Sequence, residues 1–309
     1  MSKPTYKPIL FAAAALSAVY PLTVHAQAAP PAAPLTAPAA SAVTLRYKFA
    51  VGQVHRYQYD MDMNMLMMTG QSGAGVPINM TMQMTLRQTV KSIRPADGAA
   101  TVSSQVEDMH MLRNGQETPM PEAQAAKMKQ PFTQVILPTG KILSMDMPAL
   151  GGMPGMDFTK GMFSSTSFLP AGPVKVGDTW HGDGVAPMVG MQMAFTSTLA
   201  GLDTKNGVTL AMIQSKQTGT MDMTLTKGVP VPMKMQGQIT GAGTQVFDTT
   251  AGALQSATGT ANTDMTMTFP PAADGTLPAG MPHGMKMQMQ MKFTMQRLSD
   301  VAATTAPAQ

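Results

Sequence analysis

The sequence predicts a mainly β protein: one large curved antiparallel sheet, a half-barrel of two duplicated halves, with one short helix. Three observations carry this. Apolar and polar residues alternate strictly in several runs, turn-forming dipeptides separate those runs, and the second half repeats the marks of the first.

The alternation is clearest near the C-terminus. Odd positions read Met285, Met287, Met289, Met291, Phe293 and Met295; even positions read Lys286, Gln288, Gln290, Lys292, Thr294 and Gln296. A period of two puts one set on a buried face and the other in water. The same stripe runs through Tyr57, Tyr59, Met61, Met63, Met65 and Met67, and through Ile78, Met80, Met82, Met84 and Leu86. Shorter versions are Met191/Met193/Phe195, Met221/Met223/Leu225, Met233/Met235 and Met265/Met267/Phe269. Asp97-Gly98, Asn114-Gly115, Asn206-Gly207 and Asp274-Gly275 supply residues that tolerate positive φ between strands. Pro121 to Gln130 breaks the pattern. Pro stands at a first-turn position, Thr118 precedes it, helix formers follow and Pro131 stops it, which predicts a short helix lying against the sheet.

The halves align by turn and motif. Val51-Gly52 matches Val176-Gly177, and Asp97-Gly98 matches Asn206-Gly207. Thr133-Gln134-Val135 followed by Gly140 matches Thr244-Gln245-Val246 followed by Gly252. This divides the β domain into an N-terminal half, 43–143, a Gly/Met/Pro-rich connector, 144–172, and a C-terminal half, 173–301. The N-terminal half is expected to have the longer first hairpin, turning on the Gly/Ser-rich stretch 69–77.

Outside this domain the chain reads differently. Lys3 and Lys7, an apolar run from Ile9 through Val19, and Val24-His25-Ala26 have the form of a signal peptide over 1–26, cleaved after Ala26. Residues 27–42 are an Ala/Pro-rich tether, and 302–309 form a tail of similar composition expected to be disordered. The expected location is periplasmic or secreted. No apolar run is long enough to span a bilayer as a helix, so the mature chain is expected to be soluble. There is no cysteine, which excludes disulfides, thiol nucleophiles and thiolate metal ligands. The formal charge is +4, half of it from Lys3 and Lys7, so nothing favours nucleic acid as a partner. Aromatics make up 5% and form no paired girdles, which argues against an outer-membrane barrel.

Leu45-Arg46-Tyr47-Lys48-Phe49, Gly52, Tyr57-x-Tyr59-x-Met61 and Pro173-Val174-Lys175-Val176-Gly177-Asp178-Thr179-Trp180 resemble an uncharacterised family, a domain of unknown function, of secreted Met-rich bacterial β proteins. The resemblance covers roughly 44–300, and that family has no established activity to carry over. Its look is similar to the half-barrels of periplasmic lipoprotein carriers, which implies a curved antiparallel sheet with a helix in or over the concave face.

No catalytic motif is present, and the chain is expected not to be an enzyme. Gly70-Gln71-Ser72-Gly73-Ala74 lacks the last glycine of a nucleophile elbow and falls in a hairpin turn. Asp178, His181 and Asp183 read as a turn more readily than as a divalent-metal site, and His55 reads as a core histidine on the apolar stripe. Methionine is the informative residue: 34 in 309. Val and Ile are the better strand formers, so Met in their place suggests a deformable apolar groove or a use for sulfur.

Three function classes follow. The first is a non-enzymatic binding or carrier protein for a lipid or other hydrophobic ligand. Its lining would be Met61, Met63, Met65, Met80, Met82, Met84, Met287, Met289 and Met291, with no cofactor. The second is soft-metal binding, Cu(I) or Ag(I), with thioether and imidazole donors. Its ligands would come from the connector (Met145, Met147, Met153, Met156) and from Met281, His283 and Met285. In Met109-His110-Met111 a strand would turn His110 away from both methionines. The third is a structural or oxidant-absorbing protein.

Overall fold

Strict alternation becomes long strands. The computed structural model describes residues 42–69, 75–118, 122–146, 169–185, 191–225, 232–269 and 284–299. The strands are β1 (Val54–Thr69), β2 (Gly75–Ile93), β3 (Ala100–Arg113), β4 (Gln116–Glu117), β5 (Phe132–Ile136) and β6 (Ile142–Asp146) in the N-terminal half. The C-terminal half contributes β7 (Thr179–Val185), β8 (Met191–Lys205), β9 (Val208–Leu225), β10 (Met233–Asp248), β11 (Ala253–Thr268) and β12 (Gly284–Leu298). All join one twelve-stranded sheet in the order β6-β5-β3-β2-β1-β12-β11-β10-β9-β8-β7, with β4 beside β3. Every pairing between these strands is antiparallel. The two halves meet where the first strand pairs with the last, from Arg56 opposite Leu298 to Thr69 opposite Met285.

The sheet is open but curled. The backbone N–H of Tyr47 donates to the Pro138 carbonyl at 2.8 Å, and that of Lys48 to the Gly252 carbonyl at 3.0 Å. Pro138 lies in the β5–β6 turn and Gly252 in the β10–β11 turn. On a flat sheet β5 and β11 would be five strand spacings, about 24 Å, apart. Donors on adjacent residues bring the two turns within roughly 10 Å, so the wings fold toward each other at this end. Residues 43–49 thus form a strap across the curl. Leu45, fully buried, packs with Leu199, Ile213 and Phe247 of one wing. Phe49 packs against Val90, Ala100, Val102 and Ile136 of the other. Arg46 reinforces the strap by donating to the carbonyls of Pro170 and Ala171, and Val43 and Val174 exchange two backbone hydrogen bonds.

The two halves carry the same marks in the same order. Gly52 and Gly177 both have positive φ, 85° and 94°, and their N–H groups donate to Val90 and Leu199 respectively. Gly140 and Gly252 repeat this at the later turn, at 82° and 63°. Only glycine adopts such angles without strain from a Cβ. Register shifts fall at Val90/Ser92 and at Leu199/Gly201, then at Val135/Ile136 and at Val246/Phe247. By these marks β1, β2, β3, β5 and β6 correspond to β7, β8, β9, β10 and β11, which leaves the two-residue β4 and the long β12 without counterparts. The first hairpin is indeed longer in the N-terminal half, with β1 and β2 of 16 and 19 residues against 7 and 15 for β7 and β8.

One boundary needs correction. Strand β6 runs through Asp146, so residues 144–146 belong to the sheet rather than to the connector. The helix, α1 (Glu122–Met128), exists but covers little. Of its described side chains only Ala125 and Met128 are half-buried. Its C-terminal side is tied to the sheet where Gln105 donates to the Lys129 carbonyl at 3.2 Å. Gln105 stands opposite Arg87, on the polar face of the sheet, so this contact does not place the helix over the concave face.

Candidate functional site: the concave methionine face

Register decides which side chains share a face. Met63 stands opposite Met80 on one side and Met291 on the other. Met61 stands between Met82 and Phe293, Met65 between Ile78 and Met289, and Met67 between Val76 and Met287. All nine methionines proposed from the sequence as a lining therefore lie on one face of three adjacent strands, β2, β1 and β12. That face is the inside of the curl, because the strap packs on it. Met61 and Met84 are buried floor, at 8% and 2% exposure. Met63, Met65, Met80, Met82, Met287, Met289 and Met291 are half-buried and open to whatever enters.

The small-residue part of the face was not recognised in the sequence. On β11 the register continues as Thr263, Ala261, Gly259 and Ala257, opposite Met289, Met291, Phe293 and Met295. On β10 it continues as Ile239, Gly241 and Gly243. These small residues make no apolar stripe, yet they leave room for their neighbours. A Cβ on Gly259 would sit 2.6 Å from Cε1 of Phe293, and one on Gly219 would meet the Met193 sulfur. Large side chains thus lean over glycines of the next strand. The signal available in the sequence was a two-residue repeat of small residues in Gly241-x-Gly243 and Ala257-x-Gly259-x-Ala261.

Toward the strap the face becomes more polar. Ser197 Oγ and Ser215 Oγ are 2.9 Å apart, and the corresponding pair in the other half, Gln88 Nε2 and Ser104 Oγ, is 3.5 Å apart. Burial, reinforced by the neighbouring Tyr57, pushes the Tyr47 and Tyr59 phenols well above the ordinary value. Both stay protonated at any physiological pH and bring no charge to the concave face. The convex face is a hydrated ladder of Thr, Gln, Asn, Lys and Asp. Its shallow recess of about 390 Å³ is bordered by Asp62, Asn64, Asn79, Thr81, Gln290 and Lys292, the side chains a wet face of strands normally presents.

Of the seven metal candidates only Met145 and Met285 fall among the described residues, and they stand on different strands. Met145 is not in a loop: it stands in β6 opposite Gln134 and packs against Met84, Leu86, Val106 and Phe132. Met285 lies in β12 beside a cluster of buried methionines. Met147, Met153, Met156, Met281 and His283 lie outside the described residues. His110 is exposed, 3.1 Å from Asp108 and 3.8 Å from Glu117, while Met109 and Met111 face Met84 and Met82 on the other side of the sheet. Asp178 accepts the Lys175 N–H at 2.8 Å, as a turn residue does, and His181 Nδ1 pairs with Thr196 Oγ1 at 3.1 Å. Half-buried His55 has its ring 6.2 Å from that of Tyr57. Among the described residues no three His, Asp or Glu side chains form a group able to hold a metal.

Fold and face together define a class: an open, curled antiparallel sheet whose inner face is apolar and methionine-lined. No protein-family model and no curated protein matches the chain. Among solved structures, the chain is similar to one described as lipid–protein interactions in lipovitellin, at 10% identity and a TM-score of 0.47. That match covers 84% of this chain and 27% of the other, so this chain spans little more than a quarter of it. A Salmonella typhi OmpF in complex with daunomycin matches at 7% identity and a TM-score of 0.23, covering 80% of this chain and 98% of that one. A DUF1329 family protein from Desulfovibrio piger matches at 8% identity and a TM-score of 0.17, covering 80% and 86%. Likenesses this distant carry no argument about function.

Proposed function

We propose that this chain is a non-enzymatic exported protein that binds or carries an elongated apolar molecule, such as a lipid or acyl chain, against its concave face. One observation carries the reading. The row Met80–Met63–Met291 and the next row, Ile78–Met65–Met289, are half-buried on the inside of a curled sheet, where an isolated core would be covered. Thioether side chains adapt to many apolar shapes, and a concave, mostly apolar surface with few polar groups is the usual form of a small-molecule site. Export through the N-terminal 26 residues is part of the same proposal and predicts a mature chain starting at Gln27.

Native mass spectrometry of the protein taken from its own envelope tests the reading, followed by titration with a fluorescent fatty acid. A bound apolar molecule and saturable probe binding support it. The pair Met63→Gln and Met291→Gln should weaken probe binding, and Met63→Leu with Met291→Leu should keep it. A ligand-free protein that also ignores the probe sinks the proposal.

A further inference from the structure

The concave face is built from different apolar residues at its two ends. At the strap end the buried side chains are ordinary ones: Leu45, Leu199, Ile213 and Phe247. At the far end of β9 to β12 the buried cluster is Met221, Met233, Met235, Met265 and Met267, with Met223 and Met285 packed on it. The same strands serve both ends: β9 supplies Ile213 and Met221, β10 supplies Phe247 and Met235. An overall bias toward methionine does not produce that segregation. Lining a groove does not explain it either, because Met235 and Met267 are only 1% and 7% exposed. Packing alone is served better by β-branched residues on a strand.

Register places four methionines in a row across the strands. Met223 stands opposite Met235, Met235 opposite Met267, and Met267 opposite Met285. Directly opposed residues have Cβ atoms about 4.5–5.5 Å apart, and flexible thioethers on such neighbours can converge on one point. The other apolar residues packed into this cluster are Ile239, Phe269 and further methionines, and among the described residues no group of three His, Asp or Glu side chains offers a hard or borderline cation a rival site. A soft monovalent cation takes neutral thioether sulfur and displaces no proton in doing so. The geometry points to a Cu(I) site formed by Met235 and Met267, with Met223 and Met285 as flanking donors, entered past the half-buried Met223 and Met285. The site lies away from the groove row at Met63 and does not depend on the carrier reading.

The test is competition for Cu(I) between the full chain and a calibrated chelator under reductant, compared with the double variant Met235→Leu/Met267→Leu. Leucine keeps volume and apolar character, so fatty-acid probe binding is expected to survive while Cu(I) binding falls. The fall should exceed the roughly 10- to 100-fold that loss of an outer-shell partner costs a metal site. Equal Cu(I) binding by both chains overturns the proposal. Should the variant fail to fold, Ag(I) titration of the unmutated chain with ¹³C-methyl methionine decides by NMR. Shifts concentrated on the methyls of Met223, Met235, Met267 and Met285 support the site. Shifts confined to other methionines, or none, overturn it.

Discussion

The Phe293 ring of β12 lies across Gly259 of β11, so close that a Cβ at Gly259 would be 2.6 Å from Cε1 and 3.0 Å from the Ala242 carbonyl. The pair is in register on the concave face. An aromatic side chain covering a glycine on the adjacent strand replaces the packing the glycine lacks and fixes how the strands lean together. Gly259→Val is therefore expected to destabilise the protein by about 1–3 kcal/mol through overpacking. Urea unfolding measures it. Because the clash is partly with Phe293, the cost should shrink in Gly259→Val/Phe293→Ala relative to Phe293→Ala alone. Strict additivity of the two changes would show that the ring is not what fills the space.

The strap is the second element open to test. Leu45 is fully buried, and Tyr47 meets Phe247 edge-on at 5.2 Å and Phe49 face-on at 5.9 Å. Leu45→Ala leaves a cavity between strap and wing and is expected to cost about 2–5 kcal/mol. Leu→Ala on a side chain that only decorated the surface would fall within about 0.5 kcal/mol. Thermal unfolding distinguishes the two. If the strap holds the wings together, backbone amides of the β5–β6 and β10–β11 turns should also exchange faster in the variant.

The Asp97 carboxyl is held down at about 2, first by its hydrogen bond from Arg94 and then by the Ala99 N–H. A carboxylate depressed in the folded state adds stability that is fully present above its ordinary value. That stability is lost as pH falls through the folded value. The window is therefore acidic, from the ordinary 3.8 down to about 2. The pair is solvent-exposed, so the effect should be small and salt-sensitive. An NMR titration of Asp97 should show its midpoint moving up toward the ordinary value in Arg94→Gln. No movement would assign the depression to the turn backbone alone.

Much of this fold is written locally in the chain. Alternation identified β1, β2 and β12, because an inward stripe of Met61 or Met289 against an outward Asp62 or Gln290 needs only a period of two. That Met61, Met63, Met65 and their partners share one face was legible for the same reason: register follows once one face is apolar. Other features depend on distant partners. Nothing near Val43 or Tyr47 shows that this segment crosses the sheet, because its hydrogen bonds go to Val174, Pro138 and Gly252. The small-residue side of the groove, Gly259 to Thr263, has no hydrophobic pattern of its own. Met145 reads as a loop residue among prolines and glycines, yet pairing with β5 puts it in the sheet, half-buried against the core around Phe132. The helix at 122–128 followed from its caps, but how little it buries did not.

Methionine oxidation follows the burial of the face and tests it residue by residue. Hydrogen peroxide transfers one oxygen to a thioether, giving the sulfoxide and water, and converts an apolar side chain into a polar one. Access to the sulfur controls the rate. Among the described methionines, Met212 is 47% exposed and should be modified early. The half-buried lining, Met63, Met80, Met289 and Met291, should follow, and Met235 and Met84, at 1% and 2%, should be last. Peptide mass spectrometry across a time course gives the order. Affinity for an apolar probe should then fall while the lining oxidises, and not during the earlier modification of Met212, whose partners Gly201 and Val246 lie on the convex side of the sheet. Treatment with methionine sulfoxide reductase should restore binding if the sheet has stayed folded. Oxidation of Met235 and Met84 at the pace of Met212 would mean that the floor is open to solvent, and binding lost before the lining reacts would place the ligand elsewhere.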